Sequence, residues 1–231
     1  MLGPVGGDTS AKSSCSPQEP CHHGYPPADF NRYRAVLFDW DGTLVNSHPI
    51  NFRALSQACE RWGLDLREEF YTSRIGTSGS ELISELAGVA GIVAPVETIV
   101  ADCIDRIVER VSGLEVFAPV VELAMVFHGE VPLALVSGGA RRVVDAGLEA
   151  TGLRRLFDYV VTGEDAQRGK PNPELFQLAA HRLGTAPSTC LVYEDSPEGI
   201  QAADAAGMHV VDVHCFRRRT AGIGDPVAVP S

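Results

Sequence analysis

Pairs of acidic residues follow two short apolar runs of the chain, in a spacing that suits metal binding and acid–base chemistry. Asp39 and Asp41 come directly after one run, and Glu194 and Asp195 come directly after another. Carboxylates two residues apart at the end of a strand project in the same direction. Three or four converging carboxylates repel one another unless a divalent cation lies among them, and oxygen ligands favour Mg²⁺. The pattern therefore predicts a Mg²⁺ site formed by these acidic residues.

A hydroxyl and an ammonium group lie in similar positions and suit the binding of a phosphate. Ser137 comes directly after the apolar run at 133–136, and Lys170 precedes Pro171 in a polar loop. The short loop Ser137-Gly138-Gly139 could add backbone N–H donors at the start of the next helix. The chain has 17 Arg and only two Lys, so Lys170 stands out as a compact charge where Arg is the usual cation. Together with Mg²⁺, these groups predict a phosphate-binding site.

Each of these residues also has an ordinary structural explanation when it is taken alone. An Asp at a strand end is often a turn former, and a Ser before a helix is often its N-cap. A single Lys is most often a solvated surface charge. The ordered set is more specific than its parts, because Asp-x-Asp, Ser, Lys-Pro and Glu-Asp follow one another at the ends of predicted strands or in the loops between them.

The apolar runs predict the sheet that must position these side chains. Each run is short, is rich in aliphatic residues and ends in polar residues, which is typical of a buried parallel strand. Helical patterns separate the runs, with Pro173 and Pro197 in suitable positions for first helical turns. Alternation of strands and helices predicts an α/β fold with a Rossmann-like parallel sheet covered on both faces. The predicted strands are residues 35–38, 133–136, 159–161, 191–193 and 209–213.

One segment interrupts this alternation and predicts an inserted helical cap. Three amphipathic helices are expected at residues 50–62, 80–87 and 96–111, with no strand between them. A helical block of this size between the first strand and the remainder is a lid inserted into the core. The predicted organisation is a flexible extension at 1–32, a core at 33–47 and 117–216, a helical cap at 48–116, and an irregular tail at 217–231.

Composition limits the kinds of partner that the protein can have. The chain of 231 residues is 45% hydrophobic and 21% charged, as expected for a globular protein. Nineteen basic and thirty acidic residues give a net charge of −11, which argues against binding to nucleic acid or to an anionic membrane. No secretory signal or bilayer-spanning run is evident. Cys15 and Cys21 with His22 and His23 match no zinc spacing, and the other four cysteines lie singly in apolar segments. We expect a cytoplasmic monomer or homodimer.

The sequence resembles the haloacid dehalogenase-like phosphohydrolases, in the branch that includes phosphoglycolate phosphatase and β-phosphoglucomutase. The resemblance extends from about residue 34 to residue 213 and includes the sequence Asp-Ser-Pro-Glu-Gly-Ile at 195–200. It implies a sheet ordered 5-4-1-2-3 with a helical cap after the first strand. The four matching motifs are Asp39-Trp40-Asp41-Gly42-Thr43, Ser137, Lys170-Pro171 and Glu194-Asp195.

The resemblance also implies a two-step phosphoryl transfer. Asp39 would attack phosphorus and form an aspartyl-phosphate, while Asp41 would protonate the leaving group and then deprotonate the hydrolytic water. Ser137 and Lys170 would bind the phosphoryl oxygens, and Lys170 would also keep Asp39 ionised. The implied Mg²⁺ ligands are the Asp39 carboxylate, the Asp41 backbone carbonyl and Asp195, with assistance from Glu194.

Other chemistries of this family make different demands on the sequence. Dehalogenases and phosphonate-cleaving enzymes lack the second Asp of the first motif, whereas Asp41 is present here. β-Phosphoglucomutase uses a cap His and a cap Arg, and Asn51 and Gly79 occupy those positions, although nearby His48 or Arg74 could substitute. The sequence therefore favours a phosphatase, with a mutase as the alternative. A non-catalytic binding module on the same fold is less consistent with four intact motifs.

The expected substrate is a small phosphorylated metabolite, because a closing lid excludes water and large partners. Polar residues such as Asn51 and Thr77 suit a sugar phosphate or an acid similar to phosphoglycolate. Arg141 and Arg142 could instead belong to a solvated helix face, and the Gly- and Pro-containing tail departs from the helix that usually ends such chains. The candidates for lining the cavity are His48, Asn51, Arg53, Arg74, Thr77 and Ser78 from the lid, and Gly138, Arg141 and Arg142 from the core.

Overall fold

A five-stranded parallel sheet forms the centre of the computed structural model, which describes residues 30–74 and 77–214. The sheet order is β5-β4-β1-β6-β7 and every pairing is parallel. The predicted order counts only these five strands, so that β1, β4, β5, β6 and β7 are strands 1 to 5. Read from β7 to β5, the observed order is then 5-4-1-2-3, as predicted, and the predicted fold class is confirmed. The strands are β1 (Ala35–Phe38), β2 (Val45–Asn46), β3 (Glu115–Val116), β4 (Leu133–Val136), β5 (Tyr159–Val161), β6 (Cys190–Glu194) and β7 (His209–Asp212).

The central strands are buried along their whole length. All residues of β1, β4 and β6 are inaccessible or nearly so, whereas β7 at the sheet edge is only partly covered. Strand β1 pairs with β4 on one side and with β6 on the other. Because these three strands run parallel, the polar residues after each of them lie at the same edge of the sheet.

Eight α-helices accompany the strands in the described residues, and seven of them lie where helical patterns were expected. The unexpected helix, α2, has only five residues and no buried side chain, so it has no hydrophobic period to detect. The expected helix at 96–111 ends at Val108. The helices are α1 (His48–Glu60), α2 (Glu68–Thr72), α3 (Gly79–Ala90), α4 (Val96–Val108), α5 (Ala118–Phe127), α6 (Arg141–Thr151), α7 (Glu174–Arg182) and α8 (Pro197–Ala205).

Helices cover the sheet and bury its apolar side chains. Leu37, Val136 and Val192 pack together with residues of α7 and α8, including Phe176. Elsewhere in the core, the Phe38 ring stacks on Tyr193 with centroids 5.0 Å apart. This burial holds the strand ends rigidly.

Helices α1 to α4, called here the helical insertion, form a second apolar cluster between β2 and β3. Its members include Leu55 and Cys59 of α1, Leu82 of α3 and Ile99 of α4. The sequence did not predict β2 and β3, which pair antiparallel with Val45 opposite Val116. A pair of two-residue strands is too short to leave a pattern. The insertion lies where the helical cap was expected, and its function as a cap remains a prediction.

Several expectations concern residues outside the described ranges. These are the extension at 1–29, with Cys15 and Cys21, and the tail from 215 onward, with Cys215. The cysteines of the described part, Cys59, Cys103 and Cys190, are free thiols. None of the helices in residues 30–74 and 77–214 combines the length and apolar character that crossing a bilayer requires.

Candidate active site

The loop after β1 carries Asp39 into a buried position at the carboxyl edge of the sheet. The Asp39 side chain is only 6% exposed, and its backbone N–H donates to the Tyr193 carbonyl at 3.0 Å. The loop turns at Gly42, which has φ +85° and donates its N–H to the Val45 carbonyl. A Cβ at Gly42 would lie 2.2 Å from Asp195 Oδ2, so only glycine allows the two segments to approach this closely.

Three carboxylates converge beside this loop, as the sequence predicts. Asp39, Glu194 and Asp195 each offer an oxygen, and these atoms lie within 4.8 Å of one another. Thr43 Oγ1 donates to Asp195 Oδ1 at 3.1 Å and orients that side chain. Asp39 Oδ2 is buried without a hydrogen-bond partner in residues 30–74 and 77–214. A buried acceptor of this kind, beside two further carboxylates, fits the all-oxygen ligand set of Mg²⁺.

Glu194 is held by contacts on both of its oxygens. Oε1 accepts from the backbone N–H groups of Asp195 and Ser196 at 3.0 and 2.9 Å, and from Ser196 Oγ at 2.9 Å. Oε2 accepts from Lys170 at 2.7 Å. A Cβ at Gly199 would lie 2.0 Å from Glu194 Oε2, so α8 approaches this carboxylate without an intervening side chain.

Lys170 supplies the positive charge of the site. Its Nζ lies 2.5 Å from Asp39 Oδ1, 2.7 Å from Glu194 Oε2 and 3.3 Å from the Val136 carbonyl oxygen. Burial acts to lower the pKa of Lys170, but the charges of Asp39 and Glu194 outweigh it and raise the pKa above its ordinary value. Lys170 is therefore a permanent cation between two carboxylates.

For Asp39, burial and the neighbouring charges together favour the neutral form. Burial and the nearby Glu194 raise its pKa well above the ordinary value of an aspartate, and the Lys170 ammonium only partly offsets them. A bound cation would lower the pKa of Asp39 by the same electrostatic mechanism as Lys170. The acidic site is therefore one that a divalent ion would stabilise.

Ser137 lies at the end of β4, where the sequence places it. The side chain is buried, and its Oγ donates to Asp41 Oδ2 at 3.3 Å. The same oxygen accepts the backbone N–H of Gly139 at 3.0 Å. Gly138 is the intervening residue, and its contribution to phosphate binding remains a prediction. The second carboxylate of the Asp-x-Asp motif is thus joined to the hydroxyl that was expected to bind phosphate.

The helical insertion contributes Asn51 to this group. Asn51 lies in the first turns of α1, and its Nδ2 donates to Asp41 Oδ1 at 3.4 Å. Tyr71 of α2 packs on the rings of His48 and Phe52, with centroids 5.1 and 5.4 Å away. Burial raises the pKa of Tyr71, and the charge of Asp41 raises it further. Sequence reasoning missed Tyr71, because α2 has no periodic pattern.

Two other lid candidates, Arg74 and Thr77, have partners outside the acidic cluster. Arg74 donates to both oxygens of Glu85, at 2.8 and 2.5 Å, and its guanidinium lies over the Phe70 ring. Thr77 is exposed, and its backbone N–H donates to the Arg74 carbonyl. The guanidinium of Arg74 makes no hydrogen bond to the acidic cluster in the part of the chain described. Roles of Arg74 and Thr77 in substrate binding remain predictions.

The two arginines at the start of α6 also have partners of their own. Arg141 pairs with Asp165, and its backbone N–H donates to Glu164 at 3.0 Å. Arg142 pairs with Asp105 of α4. Within residues 30–74 and 77–214, neither guanidinium hydrogen-bonds Asp39 or Asp41. Their participation in substrate binding therefore also remains a prediction.

The fold and the site together define an α/β enzyme with a Rossmann-like sheet and an acidic, lysine-containing centre at its carboxyl edge. A family model described as haloacid dehalogenase-like hydrolase matches residues 33–207, and the chain belongs to this family. The resemblance inferred from the four motifs is thereby confirmed.

Relatives with assigned names are similar over most of their length. The fructose-1-phosphate phosphatase YqaB of Escherichia coli is 29% identical over 184 residues, which cover 80% of this chain and 98% of that protein. Hexitol phosphatase A of the same organism is 33% identical, over 79% of this chain and 84% of its own. The crystal structure of CbbY from Rhodobacter sphaeroides in complex with phosphate superposes with a TM-score of 0.70 at 25% identity, over 77% of this chain and 84% of that one.

Proposed function

We propose that this protein is a Mg²⁺-dependent phosphatase that hydrolyses a small phosphorylated metabolite through an aspartyl-phosphate on Asp39. One observation carries the proposal. A buried aspartate lies beside a lysine at 2.5 Å and two further carboxylates, and one of its oxygens has no hydrogen-bond partner in the described residues. A nucleophilic carboxylate with a fixed cation beside it is what attack on an anionic phosphate ester requires.

In the first step, Asp39 attacks phosphorus in line with the ester oxygen. The new bond joins the carboxylate oxygen to phosphorus, and the bond between phosphorus and the leaving oxygen breaks. Asp41 gives its proton to the leaving alkoxide, which departs as an alcohol. Lys170 and Ser137 donate to the non-bridging oxygens, so the charge that develops on them is balanced in the transition state.

In the second step, water attacks the phosphorus of the aspartyl-phosphate. Asp41 now accepts the proton of that water, and the bond between phosphorus and the Asp39 oxygen breaks. Inorganic phosphate leaves, and Asp39 returns to its carboxylate form. One carboxyl group thus acts first as an acid and then as a base.

The residues around Asp39 fit a divalent cation. Asp39, Asp195 and the Asp41 backbone carbonyl would hold Mg²⁺, with Glu194 acting directly or through water. When bound, Mg²⁺ would neutralise charge on the transferring phosphoryl group and lower the repulsion among these carboxylates.

The names of the relatives support a phosphorylated sugar or sugar alcohol as substrate. Both E. coli proteins are named for phosphatase activity on such compounds. Uncharged polar groups on the helical insertion, such as the Asn51 amide, suit a hydroxylated leaving group. We propose that the insertion acts as a cap that excludes water during transfer. A cytoplasmic location remains a prediction.

Release of inorganic phosphate tests the proposal directly. Fructose 1-phosphate, sorbitol 6-phosphate, phosphoglycolate and p-nitrophenyl phosphate should be compared with Mg²⁺, with EDTA, and with the Asp39→Asn variant as control. We expect Mg²⁺-dependent turnover that EDTA removes and Mg²⁺ restores, and that Asp39→Asn abolishes while its melting profile remains cooperative. Equal turnover in Asp39→Asn would exclude Asp39 as the nucleophile. No turnover of any ester would favour a binding module.

The mutase alternative requires a cap cation that holds a second phosphate. Gly79 has no side chain, and Arg74 already pairs with both oxygens of Glu85. These observations favour hydrolysis. Conversion of glucose 1-phosphate to glucose 6-phosphate, measured with a coupled dehydrogenase, would establish the mutase instead.

A further inference from the structure

Two side chains hold the two oxygens of the Asp41 carboxylate. Ser137 Oγ donates to Oδ2 at 3.3 Å from the core, and Asn51 Nδ2 donates to Oδ1 at 3.4 Å from the helical insertion. Both contacts are long, as hydrogen bonds at catalytic groups often are before the substrate binds. A carboxyl group that must deliver its proton in one direction needs both oxygens fixed, because rotation about its Cβ–Cγ bond would move the acidic proton.

The position of Asn51 follows from how α1 begins. The helix starts three residues earlier at His48, and the Asn51 backbone N–H donates to the Ser47 carbonyl at 2.9 Å. Further along α1, Ala54, Leu55, Ala58 and Cys59 are buried. Strand β2 leads directly from the Asp-x-Asp loop into α1. The Asn51 amide is therefore fixed by the packing of the insertion, yet it points at a carboxylate of the core.

The contact from Ser137 cannot persist during the proposed reaction. A serine hydroxyl has a single proton and can donate it to only one acceptor. If that proton goes to a phosphoryl oxygen, the Ser137 bond to Asp41 is lost. Of the two side chains that donate to Asp41 in the described residues, Asn51 then remains.

We propose that Asn51 is a positioning residue that aims the Asp41 carboxyl group at the leaving oxygen. This inference rests on the proposed function, because it assumes that Asp41 is the general acid. It also gives the insertion a direct part in proton transfer, since the amide that aligns the acid belongs to α1. Asn51 acts through Asp41 and not on the substrate.

Dependence on the leaving group tests this role. A sugar alkoxide needs a proton in order to leave, whereas p-nitrophenolate leaves as a stable anion. The value of kcat/KM includes only the steps up to departure of the alcohol or phenolate. It therefore shows whether a variant slows the departure of a leaving group that needs a proton more than that of one that does not. In Asn51→Ala we expect kcat/KM for fructose 1-phosphate or sorbitol 6-phosphate, whichever the wild type prefers, to fall by about 10–100-fold, which is less than the roughly 10²–10⁴-fold that general acid–base catalysis contributes, because Asp41 itself remains. The value for p-nitrophenyl phosphate should change by less than about threefold.

Two further variants sharpen the test. Asn51→Asp keeps the size of the side chain but removes the N–H donor, so we expect a selective loss at least as large. Gln57→Ala removes another amide of α1, whose Oε1 accepts from Arg106 and Arg110 within the insertion at 3.3 and 3.0 Å, and both substrates should react as in the wild type. Melting temperatures of all variants should be measured in parallel.

The possible results separate this inference from the proposed function. If the wild type hydrolyses neither ester, the proposed phosphatase activity fails. If the wild type hydrolyses both, equal losses for both esters in Asn51→Ala would overturn the positioning role. The positioning role would also be overturned if Asn51→Asp had the same ratio of the two kcat/KM values as the wild type. A selective loss in Gln57→Ala as large as that in Asn51→Ala would overturn it too.

Discussion

Asp39 is almost inaccessible to solvent, yet the proposed mechanism requires it to be negatively charged when it attacks phosphorus. Burial and Glu194 raise its pKa, and Lys170 is the side chain that acts against them. The Lys170 ammonium contacts both carboxylates, so it favours the ionised form of Asp39 and balances the charge of Glu194 at the same time. The residue is thus expected to affect both catalysis and stability.

Replacement of Lys170 by alanine tests both effects. With Mg²⁺ present and well below the melting temperature, we expect kcat/KM for p-nitrophenyl phosphate to fall by about 10²–10³-fold, as for loss of one transition-state donor. Lys170→Arg should not restore activity, because a planar guanidinium does not reproduce a point charge between two carboxylates. A near-normal kcat/KM in Lys170→Ala would contradict the assignment. The melting temperature should also fall, since two buried carboxylates lose their cation.

The chemical residues could be predicted from sequence, but their contacts could not. Asp39, Ser137 and Asp195 stand in motifs at strand ends, so their convergence follows from the parallel sheet, whereas Lys170 comes from the loop between β5 and α7. The contact of Asn51 with Asp41 depends on how α1 packs, which no local pattern contains. The ion pair of Arg74 with Glu85 likewise joins the segment after α2 to α3, and no local pattern assigns a partner to this arginine.

Three elements of the core meet at Asp165, which follows β5. Oδ2 accepts from the backbone N–H of Thr162 at 2.8 Å and pairs with Arg141 of α6, while Oδ1 accepts from Arg182 of α7 at 2.9 Å. Burial acts to raise the pKa of Asp165. The hydrogen bonds from Thr162 and Arg182 and the charge of Arg141 outweigh burial and lower the pKa to about 2.

The Asp165→Asn variant should lose stability in a pH-dependent way. A carboxylate whose folded pKa lies below its unfolded value of about 3.9 contributes its full stability above that value. The contribution disappears as pH falls through the folded pKa. We expect Asp165→Asn to reduce the free energy of unfolding by roughly 1–2 kcal/mol at pH 7, allowing for solvent screening. Urea unfolding at pH 7 and near pH 2 measures the difference, and an equal deficit at both values would refute this linkage.

At the level of elements, sequence patterns identified the long helices and the sheet strands, and missed the short elements. The β1, β4 and β6 strands are buried on both faces and leave continuous apolar runs. Helix α2, whose Phe70 and Tyr71 pack on the apolar cluster of the insertion, and the β2–β3 pair are too short to show a periodic pattern. Such elements form because neighbouring segments hold them in place.

For the molecule as a whole, binding of Mg²⁺ at the acidic site would increase stability. The oxygens of Asp39, Glu194 and Asp195 lie within 4.8 Å of one another, and a bound Mg²⁺ would relieve their repulsion in the folded state only. A ligand present at about 100 times its Kd adds roughly 2.7 kcal/mol to the free energy of unfolding. For a chain of this size we expect a rise in Tm of roughly 5–10 °C.

Thermal melting with MgCl₂, compared with NaCl of equal ionic strength, measures this effect without any substrate. The Asp195→Asn variant should lose most of the rise caused by Mg²⁺, because it removes a ligand carboxylate. If Mg²⁺ raises the Tm of the variant and the wild type equally, the ion binds elsewhere.

The β2–β3 pair also fixes the points at which the helical insertion begins and ends. Asn46 lies opposite Glu115, so the polypeptide departs toward α1 and comes back from α4 at adjacent points. The closure entropy of a long excursion grows only slowly with its length when its ends are already neighbours. Changes in the length of the loops between α1 and α4 therefore cost little closure entropy, so these loops can gain or lose residues while the core and the contact of Asn51 with Asp41 are kept.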